Sequence, residues 1–154
     1  MSKVLDIYNT CSRLPLGKWM FSKMVCLKAP YFHSIKPVYT RLEEGYGEVV
    51  MKNRRRVRNH INSVHAIAMC NMCEYVGGMV IECSIPSHLR WIPKEMRVEY
   101  LKVARTDLTA SCRLEVADWQ DAMEVPVVVE VFDTRKVMVL RATITMHVSR
   151  KKKR

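Results

Sequence analysis

Residues 64–81 constrain the fold more than any other stretch of the sequence. Nearly every residue there is apolar or small, and these side chains cover all faces of a helix. A helix that is apolar all round is buried, so we predict a central core helix over residues 63–82 that ends before Pro86. Gly77 and Gly78 weaken a helix, which indicates that another part of the chain approaches closely at those positions.

The segments around this helix predict an antiparallel sheet. Helical patterns at residues 3–14 and 18–27 form a lead-in, and a hairpin follows around residues 43–47. After the helix, alternating apolar residues predict strands with short connections over residues 96–103, 108–116, 125–132 and 138–148. The alternation changes phase between Tyr100 and Leu101, which predicts a bulge or a bend. One helix packed into such a sheet gives an α+β fold rather than a doubly wound one.

Composition is typical of a single domain. A chain of 154 residues, 49% of them hydrophobic, can bury a core without disulfides or metal ions. We divide it into a helical lead-in (residues 1–29), a main domain (30–149) and a basic tail (150–154). The first residues lack a secretory signal and we expect no membrane span, which predicts a cytoplasmic protein with six free thiols. Cys70 and Cys73 form a C-x-x-C pair without further ligands nearby, so we predict packed core thiols and no metal site.

The charge of the chain predicts an anionic partner. The formal net charge is +11, with basic clusters at residues 52–58 and 150–154. Such clusters attract phosphates, so the partner could be a nucleic acid, an anionic membrane surface or a phosphorylated small molecule. Residues 53–58 contain no aromatic side chain on which a base could stack, which disfavours a nucleic-acid-binding module.

Glu74 is the candidate reactive group. It is the only charged residue between Ile61 and Ile81, so we expect its carboxylate to be desolvated in the core helix. A desolvated acid is a candidate functional group, and Asn71, three residues earlier, could share its site. The alternative is a structural glutamate that an arginine neutralises.

The start of the helix is the second candidate feature. Asn59 to Ala66 includes several polar side chains, of which Asn62 or Ser63 could cap the helix. The free backbone N–H groups of a helix start can bind an anion or an oxyanion. His65 could orient a ligand or a water there, or it could be only a surface or capping residue.

These two features together resemble the helix signature of hotdog-fold acyl-CoA thioesterases of the phenylacetate-pathway (PaaI-like) type. In that family a polar lead-in precedes His-Gly-Gly, and an acid follows nine positions after the histidine, a spacing that His65 and Glu74 keep. Residues 96–105 also resemble the strand that follows the helix in that family. The resemblance covers about residues 30–149 and is closest to a poorly characterised branch. It implies a hotdog fold, in which an antiparallel sheet wraps a buried central helix.

The resemblance also implies a mechanism and a ligand. Glu74 would act as general base or nucleophile on a thioester carbonyl, Ala66 N–H would stabilise the oxyanion, and His65 would help to place the carbonyl. Asn59, in the polar lead-in, counts among the predicted catalytic residues. Coenzyme A is part of the substrate, no separate cofactor is implied, and its phosphates suit the basic surface. The predicted substrate-binding residues are Asn71, Arg54, Arg55, Arg56, Lys102 and Arg105.

The sequence departs from the family pattern at three positions. Ala66 and Ile67 replace the two glycines, and Glu74 replaces the commoner aspartate. A chain that binds acyl-CoA or an acyl carrier without hydrolysis is therefore an alternative, and a nucleic-acid-binding module is a less favoured one.

Helical geometry predicts that two chains share each site. Nine residues separate His65 from Glu74, which places them about 13.5 Å apart along the helix axis and about 180° apart around it. They cannot both touch one carbonyl within a single chain. A homodimer, or a dimer of such dimers, can place the helix start of one subunit opposite the helix middle of the other.

Overall fold

The computed structural model describes residues 2–115 and 118–151. Within them the chain forms three α-helices and six strands. The helices are α1 (Lys3–Ser12), α2 (Gly17–Lys28) and α3 (Ala66–Ser84). The strands are β1 (Val38–Glu43), β2 (Tyr46–Met51), β3 (Leu89–Tyr100), β4 (Leu108–Arg113), β5 (Ala122–Phe132) and β6 (Met138–Arg150). Short 3₁₀ turns span Pro30–Ser34 and Arg55–Val57.

The six strands form one sheet in the order β1-β2-β4-β5-β6-β3. Every neighbouring pair is antiparallel, which confirms the predicted sheet. The two long strands β5 and β6 pair along almost their whole length, from Ala122 opposite Ser149 to Phe132 opposite Met138. β1 and β3 are the two edge strands.

Helix α3 is the core of the molecule, as its composition predicts. Met72, Cys73, Val76 and Val80 are fully buried against the inner face of the sheet. α3 is also long and apolar enough to cross a membrane by length and composition alone, but most of it is buried inside this fold. The sheet around α3 confirms the predicted hotdog fold.

The two glycines of α3 allow the close approach that the sequence predicts. A Cβ on Gly77 would lie 3.1 Å from Val127 Cγ1, and one on Gly78 would lie 2.9 Å from the Trp91 ring. The backbone of α3 therefore contacts β5 through Gly77 and β3 through Gly78, at distances so short that an added Cβ would require Val127 or Trp91 to shift.

The helical lead-in packs on β1. The rings of Tyr8, Phe21 and Tyr39 form an edge-to-face cluster with centroids 5.1–6.4 Å apart. Tyr39 also donates its hydroxyl to the Tyr75 carbonyl of α3 at 2.8 Å. Residues 2–29 are thus joined to the main domain through buried aromatic contacts, because these rings bury a large apolar area.

β3 differs from the prediction in part. The strand ends at Tyr100 and the chain bends at Lys102, as the alternative of a bend allows, but Leu101 and Val103 lie in a loop and do not continue the strand. The irregularity in register lies between Pro93 and Glu95 instead. Proline cannot donate a ladder hydrogen bond, so it is accommodated on an edge strand at such a bulge.

The boundary of the basic tail also differs from the prediction. Arg150 is the last residue of β6, pairs with Leu89 and forms an ion pair with Asp121 at 2.7 Å. The Lys151 amide donates to the His88 carbonyl at 2.9 Å. The rest of the predicted tail, residues 152–154, lies outside the described residues.

Candidate functional site

The loop before α3 is organised by Asn59. Its Oδ1 accepts from the amides of Ile61 and Ser63 at 3.1 Å, and its Nδ2 donates to Ser63 Oγ at 2.8 Å. Asn62 takes a left-handed conformation with φ 58°. All the polar atoms of the Asn59 side chain are used within the loop, so this structure gives Asn59 a role in shaping the helix start. Its predicted catalytic role stays a prediction.

This loop moves the start of the helix to Ala66 and makes His65 its cap. Neither Asn62 nor Ser63 is the cap, so that prediction is wrong. The physical reason is a pair of backbone hydrogen bonds that hold this part of the chain extended. The Val64 amide donates to the Ala104 carbonyl, and the His65 amide donates to the Val57 carbonyl, both at 2.8 Å. His65 Nδ1 accepts the amide of Ile67 at 3.1 Å.

The capping bond determines where His65 carries its proton. A neutral imidazole has one donor nitrogen and one acceptor nitrogen, and Nδ1 is the acceptor here. The remaining proton is therefore on Nε2, and the exposed ring can donate it to a ligand. The half-buried Ala66 amide finds no acceptor among the described residues, so a second donor is available at the same helix start.

A cavity of about 230 Å³ opens beside this helix start. It lies between the first turns of α3, the Pro30–Ser34 turn and the Arg55–Val57 turn. The residues that line it are Tyr31, Ser34, Ile35, Arg56, Val57, Arg58, His65, Ile67, Ala68 and Asn71. The structure thus brings three predicted site residues, His65, Asn71 and Arg56, to one cavity.

Asn71 is the buried polar group of this cavity. Only 6% of its surface is exposed. Its Nδ2 donates to Ser34 Oγ at 3.1 Å, whereas its Oδ1 has no hydrogen-bond partner in the described part of the chain. A buried acceptor of this kind is costly unless it is satisfied, so Asn71 is suited to accept a hydrogen bond from a ligand.

The predicted basic residues fall into two groups. Arg54 points inward, because its guanidinium donates to the Ile35 carbonyl at 2.6 Å. Arg55, Arg56, Lys102 and Arg105 are exposed. The loop of Lys102 and Arg105 lies against the helix start, since the Ala104 carbonyl accepts from Val64 and the Arg105 carbonyl accepts from Asn53 at 2.7 Å. Four of the predicted basic residues are therefore exposed in the loops next to the start of α3, and Arg54 is a structural residue of the same region.

Asp107 holds the two basic loops together. Its carboxylate accepts from Lys52 Nζ and from the Asn53 amide, both at 2.8 Å. The hydrogen bond from Lys52, followed by that from Asn53, lowers the pKa of this carboxyl. The Asp107 carboxylate is thus bound within these loops, and the remaining basic side chains keep the electrostatic potential around them positive.

Glu74 does not lie in this cavity. It is half-buried rather than buried, so the predicted complete desolvation is wrong for a single chain. It makes no ion pair or hydrogen bond with any residue that the structure describes, and thus no arginine neutralises it there.

The neighbours of Glu74 show which way it points. Residues four apart share a helix face, and Glu74 lies four residues from both Cys70 and Gly78. Cys70 Sγ contacts the Tyr100 hydroxyl at 3.2 Å, and Gly78 contacts Trp91, so this face of α3 is turned towards the edge strand β3. The bond with Cys70, together with burial, raises the pKa of Tyr100 to about 12. The phenol is therefore protonated at neutral pH.

The six cysteines are free thiols, and four of them are buried. Burial raises the pKa of Cys73, the second member of the C-x-x-C pair. Across residues 2–115 and 118–151, no three His, Cys, Asp or Glu side chains are grouped so that they could hold a metal ion.

A comparison with known protein families assigns most of the chain to one domain family. Residues 17–148 match a family described as a domain of unknown function, DUF4442. The chain belongs to this family. No curated protein matches it significantly.

Solved structures place DUF4442 among known folds. A structural-genomics protein, APC5556, is 39% identical with a TM-score of 0.85, and the match covers 96% of this chain and 99% of APC5556. PA5026 from Pseudomonas aeruginosa, described as a probable thioesterase, is 21% identical with a TM-score of 0.77 over 90% of this chain and 97% of PA5026. smu.793 from Streptococcus mutans UA159, solved with acetyl-CoA, is 23% identical with a TM-score of 0.63 over 75% of this chain and 90% of its own.

The likeness to these structures supports the hotdog fold that the sequence predicts, and the thioesterase superfamily stays a prediction. At under 25% identity the last two show the fold alone, and the PaaI-like type stays a prediction. The sequence did not single out several residues that line the cavity, among them Tyr31, Ser34 and Arg58. Arg58 belongs to the basic cluster and could have been found there, whereas Tyr31 and Ser34 come from a turn more than 30 residues before the helix, and no periodic signal marks them.

Proposed function

We propose that this DUF4442 protein hydrolyses thioesters of coenzyme A. The observation that carries the proposal is the start of α3, where the Ala66 amide is free among the described residues and the exposed His65, which carries its proton on Nε2, lines a cavity. Preorganised donors of this kind stabilise the oxyanion of acyl transfer. The exposed cations Arg55, Arg56, Lys102 and Arg105 supply the charge that coenzyme A phosphates need.

The reaction requires a base, and we assign Glu74 to that role. Its carboxylate takes a proton from water as the oxygen attacks the thioester carbonyl. The negative charge moves to the carbonyl oxygen, which the Ala66 amide and His65 Nε2 stabilise. The intermediate then collapses, the carbon–sulfur bond breaks, and coenzyme A leaves as the thiol once it regains a proton from Glu74.

We further propose that each site lies between two subunits paired along β3. The helix geometry separates His65 from Glu74 by about 13.5 Å and about half a turn, so one chain cannot supply both groups. Glu74 is on the α3 face turned towards β3, and β3 is a long edge strand with unpaired backbone groups on its outer side. Such an edge is suited to pair with a second copy. A two-fold axis there could bring the partner's helix start to the carboxylate.

A thiol-release assay against acyl-CoA esters, from acetyl to long-chain and aryl, tests the activity. Glu74→Gln keeps the shape and removes the base, so we expect turnover to fall about a hundredfold or more. Glu82→Gln is the matched control, because Glu82 lies on the same helix and contacts Trp91 at 2.8 Å, away from the cavity. Near-native turnover of a folded Glu74→Gln variant would refute the assignment of the base.

Subunit exchange tests the shared site. His65→Ala and Glu74→Gln variants, each impaired alone, are mixed and allowed to exchange. A shared site gives each heterodimer one intact site and one doubly substituted site, so activity returns. If each site lies within one chain, the mixture stays inactive, and the proposed geometry is wrong.

Ligand binding without hydrolysis is a second candidate function, favoured by one observation. Ile67 replaces a family glycine, lines the cavity and is 56% exposed, so its side chain stands where a ligand would approach the helix start. Calorimetry with acyl-CoA separates the two functions. Tight binding by the wild type with no thiol release would support this second candidate over the enzyme.

A further inference from the structure

Helix α2 has an apolar face that the core does not use. Its inward side is buried through Phe21, Ser22 and Cys26. At 100° per residue, four large apolar side chains on its other side fall within an arc of about 140°. These are Trp19, Met20, Met24 and Leu27, and Leu16 immediately before the helix adds a fifth. Leu16 is 77% exposed and Leu27 is 82% exposed, whereas the other three are about half exposed.

The stretch of chain that forms this face carries charges of one sign. Between Ile7 and Leu42 the sequence contains no aspartate or glutamate, but six lysines and arginines: Arg13, Lys18, Lys23, Lys28, Lys36 and Arg41. Within the described residues, only Arg41 of these six forms an ion pair, with Glu43. Lys23 lies over the Trp19 ring at 5.4 Å, so one cation sits among the apolar side chains. The face is complementary to an anionic partner.

The shape of the face selects among anionic partners. The exposed side chains stand on the outside of a helix, and a cavity that touches it near Trp19 measures only about 40 Å³. A convex face with long flexible side chains suits a fluid surface better than the fixed relief of a folded protein. The exposed leucines and methionines cannot stack on bases, which disfavours a nucleic acid. An apolar stripe with one tryptophan and flanking lysines is typical of a helix that lies in a membrane interface.

We propose that α2 binds the surface of an anionic lipid bilayer, with the apolar face at the boundary between head groups and acyl chains. The face stays open in the proposed dimer, because α2 packs on β1 and the dimer would pair along β3, the opposite edge. The Pro30–Ser34 turn follows α2 and supplies Tyr31 and Ser34 to the cavity. Binding would therefore hold the mouth of the cavity near the bilayer. The proposal does not depend on thioester hydrolysis.

Co-sedimentation of the full chain with vesicles tests this inference. We expect pelleting with phosphatidylcholine vesicles that contain about one third phosphatidylserine, and little with phosphatidylcholine alone, because both apolar contact and charge contribute. Vesicles with brominated acyl chains should quench part of the tryptophan fluorescence of the wild type, and much less in Trp19→Phe.

Two groups of variants identify the face. Leu16→Gln with Met20→Gln and Leu27→Gln should lower vesicle partitioning at least tenfold. Lys23→Gln with Lys28→Gln should abolish the preference for anionic lipid. Lys18 is left unchanged, because its Nζ donates to the Thr40 carbonyl of β1 at 2.6 Å. Val137→Gln, an exposed apolar residue in the β5–β6 turn, is the control and should bind as the wild type does. If the triple glutamine variant unfolds, Leu27→Gln alone serves, since its side chain is mostly exposed.

Three outcomes overturn the proposal. The wild type could stay in the supernatant with both lipids. It could pellet equally well with and without the glutamine substitutions, in which case another basic surface binds the vesicles. Light scattering could show that the apolar variant loses a subunit contact present in the wild type, in which case the face is an interface between copies of this chain.

Discussion

His65 serves two purposes in this structure, and substitution can separate them. Its Nδ1 caps α3 by accepting the Ile67 amide at 3.1 Å, and its Nε2 proton is free to meet a ligand. Loss of a side-chain cap costs about 1 kcal/mol, so His65→Ala should lower the stability by about that amount. For a domain of this size this corresponds to a fall of about 2–4 °C in Tm.

His65→Asn is the variant that decides the matter. Asparagine is among the best capping residues, so its Oδ1 should restore the bond to Ile67 and return the Tm to within about 1 °C of the wild type. Its amide cannot reproduce the position of Nε2, so turnover should stay low. We would measure Tm by calorimetry and turnover by thiol release. Equal melting temperatures for the alanine and asparagine variants would refute the cap, and full turnover of the asparagine variant would refute the ligand contact.

Two further predictions concern stability. Gly77→Ala should destabilise the fold by about 1 kcal/mol in chemical denaturation, because overpacking against fully buried Val127 costs more than the gain in helix propensity. Gly78→Ala should be close to neutral, because the added methyl group meets Trp91, which is half-exposed and can shift. Hydrogen bonds from the Val137 and Arg135 amides lower the pKa of Asp133 below its ordinary value of 3.8. The ionised carboxylate therefore stabilises the fold fully at a pH above 3.8, and this stabilisation is lost as the pH falls through the pKa of the folded state. Asp133→Asn should therefore lower Tm at pH 7, with a difference that shrinks in acid; a constant difference would contradict this.

The fold could be predicted because its signals are periodic. The all-apolar helix and the alternating strands each follow from which faces must be buried, and these patterns are local to the sequence. The end of β3 was missed because Leu101 and Val103 alternate like strand residues although they are exposed in a loop. Pro93 was the available signal that β3 is an irregular edge strand.

The candidate site could be predicted only in part. The helix start and its histidine are visible because polar residues precede an apolar run, and the capping alternative for His65 is confirmed. The choice of His65 over Asn62 and Ser63 depends on long-range bonds to Val57 and Ala104, which hold the preceding residues extended. Arg54 looks like any other member of the basic cluster, yet it is bound to the Ile35 carbonyl. Such contacts between distant segments leave no pattern in the local sequence.

The half-burial of Glu74 has the most bearing on assembly. A lone carboxylate in an apolar helix is expensive to desolvate, and a chain that buried it completely would need a partner for it. This chain instead leaves Glu74 half-exposed towards β3, between the Tyr100 contact and the Trp91 contact, without a partner in the described residues. A second subunit paired along β3 would cover that face, at the same place where the proposed mechanism needs a base. The proposed site therefore takes its carboxylate from one chain and its helix start from a second chain that pairs along β3.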